Sequence, residues 1–373
     1  MAAAEDKAAK SERKYCQREP LPRKVLAPGI SPNRERAIWS RRYQWANGTV
    51  LKFYFFEENN PGVDFDENGQ QVWQDYSGPK AQMDAVRKAF QEWKDVGIGL
   101  EFQEVTSREE AEIRIGFLQG DGSWSLLGSW EHLEFPDRSP HFRTMNFGWS
   151  LTSEYGYDTA LHEIGHAIGL VHSHKHPKSP LVWNETEVFK KFRAQGWSDK
   201  AIRSNILERE SFANVEGSAW DVNSIMHYWF EPKLVDAPEP YASNGIFPEN
   251  GLSPDDKAWI KVLYPALGPS DYREISANRS EMLEVLSGGQ ANFVFEPELS
   301  RNYNCQVFGE SDCIVTVFEE LQDGSIEYRG GDDDSGEDRN ALVSLRLLRG
   351  HRYIIRVMLN FDSSGGMASL MVY

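Results

Sequence analysis

The stretch from Leu161 to His172 constrains this chain most, because it combines a helical period with three histidines at fixed offsets. In a helix, His162 and His166 stand four residues apart, so both imidazoles project from one face about one turn apart. Two imidazoles at that spacing can hold one zinc ion. Gly169 suits a left-handed turn that ends the helix and can bring His172 round as a third ligand. Three protein ligands leave a fourth position for water, which is the arrangement of a catalytic site.

Glu163 and the apolar side of the same helix fit this scheme. Because each residue turns about 100° round the axis, Glu163 points beside the metal, where a base for a zinc-bound water belongs. Leu161, Ile164 and Ile168 lie on the opposite side, and we expect them to be buried in a core. A His-Glu-x-x-His pentapeptide also occurs in ordinary helices. The glycine and the third histidine therefore carry the inference.

Size and charge allow two domains and exclude some classes of function. The chain has 373 residues, enough for a large core. No apolar run approaches the roughly 18–20 residues that span a bilayer, so no membrane span is expected. A formal net charge of −17 argues against general nucleic-acid binding. Residues Met1–Lys14 lack the apolar core of a secretory signal.

The first 268 residues divide into two parts. Residues 1–35 are interrupted by prolines and are predicted to be a flexible N-terminal arm or a pro-segment. Residues 36–268 carry a strand, a helix and two more strands, which predicts an α/β or α+β sheet with one backing helix, and α+β is the expected fold class. These elements are predicted at Thr49–Phe56, from Pro79 to about Gly97, at Leu100–Val105 and at Ala111–Phe117. Thr144–Trp149 is interpreted as an edge strand that an extended peptide could join.

The segment after His172 begins as a polar loop and then becomes helical. His174 and His176 are interpreted as surface histidines, because His172 already satisfies the ligand spacing. Two helices are predicted at Glu185–Gln195 and Asp199–Glu208, the second capped by Ser198. A further helix should begin after Ser253, with a proline at its first position and acids in its first turn, and end at Pro265.

Residues 269–373 show no helical period, and Gly268–Ser270 resembles a domain boundary. Strands separated by turn residues predict an antiparallel β-sandwich. They are predicted at Ala291–Glu296, Gln306–Phe308, Cys313–Glu319, Ser325–Arg329, Leu342–Leu348, Tyr353–Met358 and Ala368–Tyr373. The acidic run Gly331–Asp338 could bind Ca²⁺, although it lacks the EF-hand spacing and a solvated acidic turn is the simpler interpretation.

The three cysteines leave two questions open. Cys305 and Cys313 flank a segment that could be a hairpin tip, so they could form a disulfide or stay reduced. Cys16 lies in the N-terminal arm. It is either a thiolate that blocks the zinc in a latent form or a free cysteine in a solvated tail, and the tail is the simpler interpretation.

The His162–His172 stretch and the later segment Ser224–Tyr228 together resemble the metzincin zinc endopeptidases, and the resemblance covers about residues 37–266. The Ser-x-Met-His-Tyr turn is most similar to the astacin-like and serralysin-like enzymes (peptidase M12-type). The resemblance implies a catalytic zinc on His162, His166 and His172, with Glu163 as general base. It also implies that Met226 forms the floor beneath the metal. Tyr228 would stabilise the oxyanion or ligate zinc in the resting state.

Two features depart from the astacin pattern. Ser173 stands after His172 where astacins have a glutamate, and the four-cysteine disulfide set is missing. The tail resembles the bacterial pre-peptidase C-terminal domain, through Asp333–Gly336, Leu345 and the run Arg349–Val357.

The sequence therefore favours a monomeric zinc-dependent endopeptidase that hydrolyses protein or peptide substrates through a zinc-bound water, with Glu163 as general base. The family resemblance implies secretion. The alternative is a catalytically weak zinc protein whose C-terminal sandwich binds a glycan or a protein. Glu163 argues against this alternative, because a structural zinc needs no base and prefers a closed fourth position.

Overall fold

The computed structural model describes residues 15–16, 43–45, 47–65, 70–134, 139–210, 219–266, 272–284, 290–309, 313–322, 326–333, 335–336, 340–359 and 367–373. These residues form two compact units. The first takes in the described residues within Met1–Lys24, Leu51–Val96 and Phe102–Trp259. The second takes in those within Val25–Val50, Gly97–Glu101 and Ile260–Tyr373. The predicted boundary at Gly268–Ser270 and the arm 1–35, apart from Tyr15 and Cys16, lie outside the described residues.

The first part of the fold alternates short strands with helices, as the sequence predicts for an α+β domain. In chain order its elements are β1 (Val50–Phe55), β2 (Gly62–Phe65), β3 (Gln71–Gln74), α1 (Lys80–Asp95), β4 (Glu101–Glu104), β5 (Ile113–Gly116), β6 (Trp124–Ser125), α2 (Gly128–Glu134), β7 (Met145–Asn146) and α3 (Glu154–Ala167). After a 3₁₀ turn at Ser173–Lys175 come β8 (Val182–Trp183), α4 (Glu185–Ala194), α5 (Asp199–Ile202), a π-helical turn at Arg203–Leu207, β9 (Val235–Ala237), α6 (Tyr241–Asn244) and α7 (Pro254–Leu263).

The main sheet of this part is mixed and has the strand order β4-β1-β5-β7-β6. β1 pairs with β5 and β5 with β7 in parallel, whereas β6 pairs with β7 antiparallel. The prediction of an edge strand at Thr144–Trp149 is wrong, because β7 lies between β5 and β6. The edge strand next to β7 is β6, which has only two residues and is too short to show a strand pattern in the sequence.

Helix α1 backs the sheet and supports α3. Its apolar stripe is buried at Val86, Phe90 and Trp93, and Phe90 stacks on Phe53 of β1 with ring centroids 4.3 Å apart. The indole N–H of Trp93 donates a hydrogen bond to the Leu161 carbonyl of α3 at 3.0 Å. The apolar stripe of α1 therefore helps to position the helix that carries the histidines. No helix in the described part of the chain is both long and apolar enough to cross a membrane.

The C-terminal part is an all-β sandwich of two sheets. Its strands are β10 (Tyr272–Glu274), β11 (Ser280–Glu284), β12 (Gln290–Phe295), β13 (Arg301–Gly309), β14 (Cys313–Glu320), β15 (Ile326–Asp332), β16 (Leu342–Leu347), β17 (Arg352–Leu359) and β18 (Met367–Val372). One sheet has the order β10-β12-β17-β14-β15 and the other β11-β18-β13-β16. Strands β10 and β11 were not predicted, and β10 pairs in parallel with β12, unlike the antiparallel pairs around it.

Residues from both sheets meet in one buried core, and the sequence left open whether Cys305 and Cys313 form a disulfide within it. Cys305 lies on β13 and Cys313 on β14, and these strands belong to opposite sheets. Both cysteines are buried in the core that the sheets share, and no disulfide joins them. Burial raises the pKa of the Cys305 thiol to about 12. Because β13 and β14 belong to different sheets, the two cysteines do not face each other across a hairpin.

The acidic run in this part gives calcium no support. Asp332 accepts hydrogen bonds from the Ser335 backbone and hydroxyl and from the Leu342 N–H, at 2.6–2.9 Å. Its carboxylate therefore holds a turn. Asp334 and residues 337–338 of the predicted cluster lie outside the described residues. In the described part of the chain, the one group of three or more candidate ligands close enough for a metal lies elsewhere, in the first unit.

Candidate active site

Helix α3 presents two of the predicted ligands on one face. Ser153 caps the helix by accepting a hydrogen bond from the Gly156 N–H at 3.0 Å. His162 and His166 are both buried, and their ring centroids are 4.7 Å apart. Leu161, Ile164 and Ile168 are fully buried on the other side, as predicted.

A glycine turn after α3 brings the third histidine back. Gly169 has φ of 98°, in the left-handed region that favours glycine. Its N–H donates to the His166 carbonyl at 2.8 Å, and the Leu170 N–H donates to the Gly165 carbonyl at 2.9 Å. These two hydrogen bonds satisfy carbonyl groups in the last turn of the helix. The chain then reverses, so that His172 Nε2 lies 2.9 Å from His166 Nε2.

The outer nitrogens of the two helix histidines are held by backbone carbonyls. His162 Nδ1 donates to the Ile225 carbonyl at 2.7 Å, and His166 Nδ1 donates to the Leu170 carbonyl at 2.8 Å. A carbonyl can only accept, so Nδ1 carries the proton and Nε2 has a lone pair directed inward. Among the residues that the structure describes, His162 Nε2 is buried without a hydrogen-bond partner. Such a nitrogen suits a metal ion.

Burial favours the neutral form of His162 and His172, which is the form that binds metals. Desolvation lowers the pKa of His162 to about 4, partly offset by its bond to the Ile225 carbonyl. Desolvation and the neighbouring histidines hold the pKa of His172 well below its usual value.

Cys16 completes the cluster, so the simpler interpretation of a solvated cysteine is wrong. One ligand atom each from Cys16, His162, His166 and His172 all lie within 4.8 Å of one another. The Cys16 side chain is 5% exposed. Its Sγ also donates to Glu163 Oε2 at 3.6 Å. Three imidazoles and one thiolate are a donor set that zinc favours, so the residues present fit that ion.

Glu163 is buried beside the cluster and does not belong to the group of candidate ligands. Its carboxylate oxygen Oε2 lies 3.6 Å from the Cys16 sulfur. It also lines an open cleft along α3. The other residues of that cleft include Trp149, Tyr155, Asp158, Thr159, Ser224, Ile225, His227, Trp229 and Pro248–Asn250.

Met226 packs directly beneath the helix that carries the histidines. A Cβ added at Gly165 would come within 2.5 Å of the Met226 sulfur, so only glycine allows this contact. The Met226 carbonyl accepts from the Ser173 N–H at 3.0 Å, just after His172. The predicted methionine turn therefore contacts the chain on both sides of the cluster.

Asp256 holds the methionine turn, a role that the sequence analysis missed. Its carboxylate accepts from the Ser224 hydroxyl and the Ile225 N–H, both at 2.7 Å. It also exchanges hydrogen bonds with Ser253, which caps α7 as predicted. The capping signal in the sequence identified the helix start. It gave no sign that the same carboxylate reaches a turn about 30 residues away in the chain.

Tyr228 lies beside the cluster and contacts the N-terminal segment. Its ring centroid is 4.4 Å from that of His172, and its phenol donates a short hydrogen bond to the Cys16 carbonyl. A peptide carbonyl next to the candidate metal ligands therefore already has a phenolic donor.

The prediction that His174 and His176 are surface residues is wrong, because their side chains are 1% and 3% exposed. His174 Nε2 donates to the Asn205 carbonyl at 2.9 Å, and its ring stacks on Tyr228 at 4.6 Å. His176 Nδ1 accepts from the Lys178 N–H at 3.0 Å. Neither belongs to the candidate metal group. Both pack the loop that follows the third ligand.

Comparison with known proteins adds independent findings. Residues 70–182 match the sequence model of the matrixin family, peptidase M10. The structure of myroilysin is similar, with 29% identity and a TM-score of 0.50, over 61% of this chain and 97% of that chain. The matches do not separate the matrixin branch from the astacin-like branch that the sequence favoured.

Two other solved structures show weaker similarity. One is high choriolytic enzyme 1, a hatching-enzyme zinc protease of the medaka fish Oryzias latipes, with 17% identity and a TM-score of 0.39 over 61% of this chain and 98% of that chain. The other is the pre-peptidase C-terminal domain of a Bacillus anthracis collagenase, with 16% identity and a TM-score of 0.24 over 29% of this chain and 99% of that chain. No curated protein matches the chain.

Proposed function

We propose that this chain, as a zinc metallopeptidase of the metzincin type, is an endopeptidase that its N-terminal segment holds in a latent form. The observation that carries the proposal is the buried cluster of three histidines and Cys16 beside Glu163, in which a substrate would have to displace Cys16. Residues 36–268 would form the catalytic domain and residues 269–373 a separate sandwich.

His162, His166 and His172 would hold the zinc through their Nε2 atoms. The hydrogen bonds from Nδ1 of His162 and His166 to backbone carbonyls support this role, because they fix the tautomer and ring orientation that a metal ligand needs. When bound, zinc supplies Lewis acidity, which polarises the scissile carbonyl and activates water.

Glu163 is the proton carrier of the proposed reaction. Its Oε2 accepts the proton of the attacking water and returns it to the leaving amine, so that the carboxylate is regenerated. The contact between Cys16 Sγ and Glu163 Oε2 at 3.6 Å supports this role, because it shows that the carboxylate can approach a group at the cluster. In the latent form the thiol stands where the water would be.

Tyr228 and the sheet edge would orient the substrate. The phenol of Tyr228 donates to the Cys16 carbonyl, and the same donor is suited to the oxyanion of a substrate carbonyl. Strand β6 is the edge of the main sheet and contacts α3. An extended peptide that pairs with β6 would run along the cleft past Glu163.

The proposal is tested by measuring the zinc content and the protein-cleaving activity of the full chain. The same measurements are made on the Cys16→Ala variant, which lacks the thiol that would block the site. We expect about one zinc per chain, and a kcat/KM that rises at least about tenfold when the thiol no longer blocks the site. A chelator should abolish cleavage and added zinc should restore it. A zinc-loaded Cys16→Ala protein that cleaves no protein or peptide would instead favour the binding-protein alternative.

Glu163→Ala in the same background separates base from ligand. We expect zinc content to be unchanged and kcat to fall by about 10²–10⁴-fold, because proton transfer is lost while the histidines remain. Glu163→Gln is the isosteric control, and it should show the same zinc content and the same fall in kcat as Glu163→Ala. Loss of zinc in both variants would show that Glu163 binds the metal.

A further inference from the structure

The side chain of Tyr15, next to Cys16, fills a pocket made of aromatic rings. It stacks on Trp229 at a centroid distance of 5.4 Å and an interplanar angle of 17°. Phe192 of α4 meets it edge-on at 4.9 Å, and Tyr228 contacts it at 5.4 Å. Trp197 and Phe230 lie within 6.4 Å of the ring. We call these five residues the aromatic pocket. Tyr15 is 6% exposed in it.

The aromatic pocket lies beside the candidate metal cluster, because Tyr228 and Trp229 line the same cleft as Glu163. The Cys16 thiol lies within the histidine cluster, and consecutive Cα atoms are about 3.8 Å apart. A residue bound next to the reacting carbonyl can therefore reach this pocket as Tyr15 does. Tyr228 belongs to both sites, since its ring forms one wall and its phenol donates to the Cys16 carbonyl.

The chemistry of the aromatic pocket favours a flat, electron-rich side chain. Lys191 Nζ lies 5.4 Å from the ring centre of Tyr15 and 5.1 Å from that of Trp229. A cation at this distance stabilises aromatic rings over aliphatic groups. Lys191 also forms an ion pair with Glu231 at 2.9 Å, so an acidic substrate side chain would have to compete with the Glu231 carboxylate.

The hydroxyl end of Tyr15 is buried from solvent. The Tyr15 hydroxyl is buried, and no described residue is its hydrogen-bond partner. Desolvation and the Glu231 carboxylate raise the pKa of this phenol well above its usual value. A buried hydroxyl without a partner loses its hydration and gains nothing in exchange. The ring is therefore the part of Tyr15 that fits, and phenylalanine should fit better.

We infer that the aromatic pocket is the specificity pocket of this peptidase and binds an aromatic side chain of the substrate, phenylalanine before tyrosine, at a residue flanking the cleaved bond. The inference rests on the proposed function. Under this inference, Tyr15 occupies the position in the pocket that the substrate side chain would take.

The test uses the full chain carrying Cys16→Ala and Tyr15→Ala, which leaves both the metal cluster and the pocket open. Matched peptides that differ only in Phe, Tyr, Leu or Ala at one position are cleaved, and the cut sites are mapped by mass spectrometry. We expect kcat/KM for Phe to exceed that for Ala by about 10–100-fold, the effect of burying one large apolar side chain. Tyr and Leu should fall between them. Equal rates for all four, or a preference for Leu over Phe, would overturn the inference and leave the peptidase intact.

Substitutions in the pocket test its location. Trp229→Leu, added to that chain, should reduce the preference for Phe over Ala several-fold and leave the zinc content unchanged. Phe189→Leu is the matched control on α4. Phe189 packs against the same core but contacts Arg193 and Arg203, not Tyr15, so the preference should persist. If both variants retain the full preference, another site selects the aromatic side chain.

A binding measurement keeps the inference independent of turnover. If no peptide is cleaved, the Phe and Ala peptides are compared by the quenching of tryptophan fluorescence in the same chain. Binding of the Phe peptide that is at least about tenfold tighter, and is weakened by Trp229→Leu, would support the pocket while the proposed activity fails. Equal binding would reject the pocket itself.

Discussion

At the level of residues, the candidate ligands followed from the sequence because helical geometry fixes the spacing of His162 and His166. The sequence left the role of Cys16 open, and it wrongly assigned His174 to the surface. Their positions depend on how distant segments pack, which no local pattern encodes. Cys16 meets the cluster from a point 146 residues before His162, and His174 is buried against Tyr228 although its neighbours in sequence are polar. Burial of a polar side chain needs a partner, and here the partner is the Asn205 carbonyl.

The histidine assignment predicts unequal effects of two similar substitutions. His172→Ala should lower zinc affinity by at least about 10²-fold, because one of three protein ligands is lost. His174→Ala removes an equally buried imidazole that does not belong to the cluster, so zinc should stay bound. Zinc content and affinity are measured on folded, monodisperse protein for both variants. Equal loss of zinc would contradict the assignment.

Tyr228→Phe tests the phenol and leaves the ring in place. The ring contacts to His172 at 4.4 Å and His174 at 4.6 Å should persist, so fold and zinc content should not change. If the hydroxyl stabilises the oxyanion, kcat should fall by about 10²–10³-fold with little change in KM. The kinetics are measured in the Cys16→Ala background, where latency does not mask the rate. An unchanged kcat at full zinc occupancy would remove Tyr228 from the mechanism.

At the level of elements, long periodic segments were predicted well and short ones were not. Helices α1, α3 and α4 and most sandwich strands lie where their apolar periods indicated. Strand β6 has two residues, too few for a period, and so the edge of the main sheet was assigned to the wrong segment. Whether these two residues form a strand depends on their pairing with β7, which is set by the tertiary structure and not by the local sequence.

The contact between α7 and the methionine turn predicts a strong effect of one carboxylate. Asp256→Ala would leave the Ser224 hydroxyl and the Ile225 N–H without their acceptor, and should destabilise the protein by about 2–4 kcal/mol. It should also weaken zinc binding, since the turn carries the carbonyl that orients His162. Asp255→Ala is the control, because Asp255 is exposed in the same helical turn and should cost about 0.5 kcal/mol. Urea unfolding and zinc titration measure both variants, and equal destabilisation would refute this role of Asp256.

At the level of the whole molecule, every residue proposed for catalysis and specificity belongs to the first unit. The second unit contains the sandwich together with Asn47 and Tyr264 from earlier in the chain. Within it, Arg356 Nη1 donates to the Asn47 carbonyl at 3.0 Å, and Asn47 Nδ2 donates to Gln290 Oε1 at 3.0 Å. Each unit is therefore made of several separate segments of the chain, and no single boundary in the sequence divides them. No local pattern in the sequence predicts such long-range contacts.

This arrangement predicts that a fragment ending at Pro265 keeps its activity and loses stability. In the Cys16→Ala background its kcat/KM should be within about twofold of the full chain, because no proposed catalytic residue is removed. Loss of the two hydrogen bonds to Asn47, each worth about 1 kcal/mol, should lower the Tm by about 4–8 °C. Arg356→Ala in the full chain is the control and should reproduce part of the stability loss alone. A fragment that binds zinc but has no turnover would mean that the sandwich takes part in catalysis, because metal binding reports that the first unit has folded.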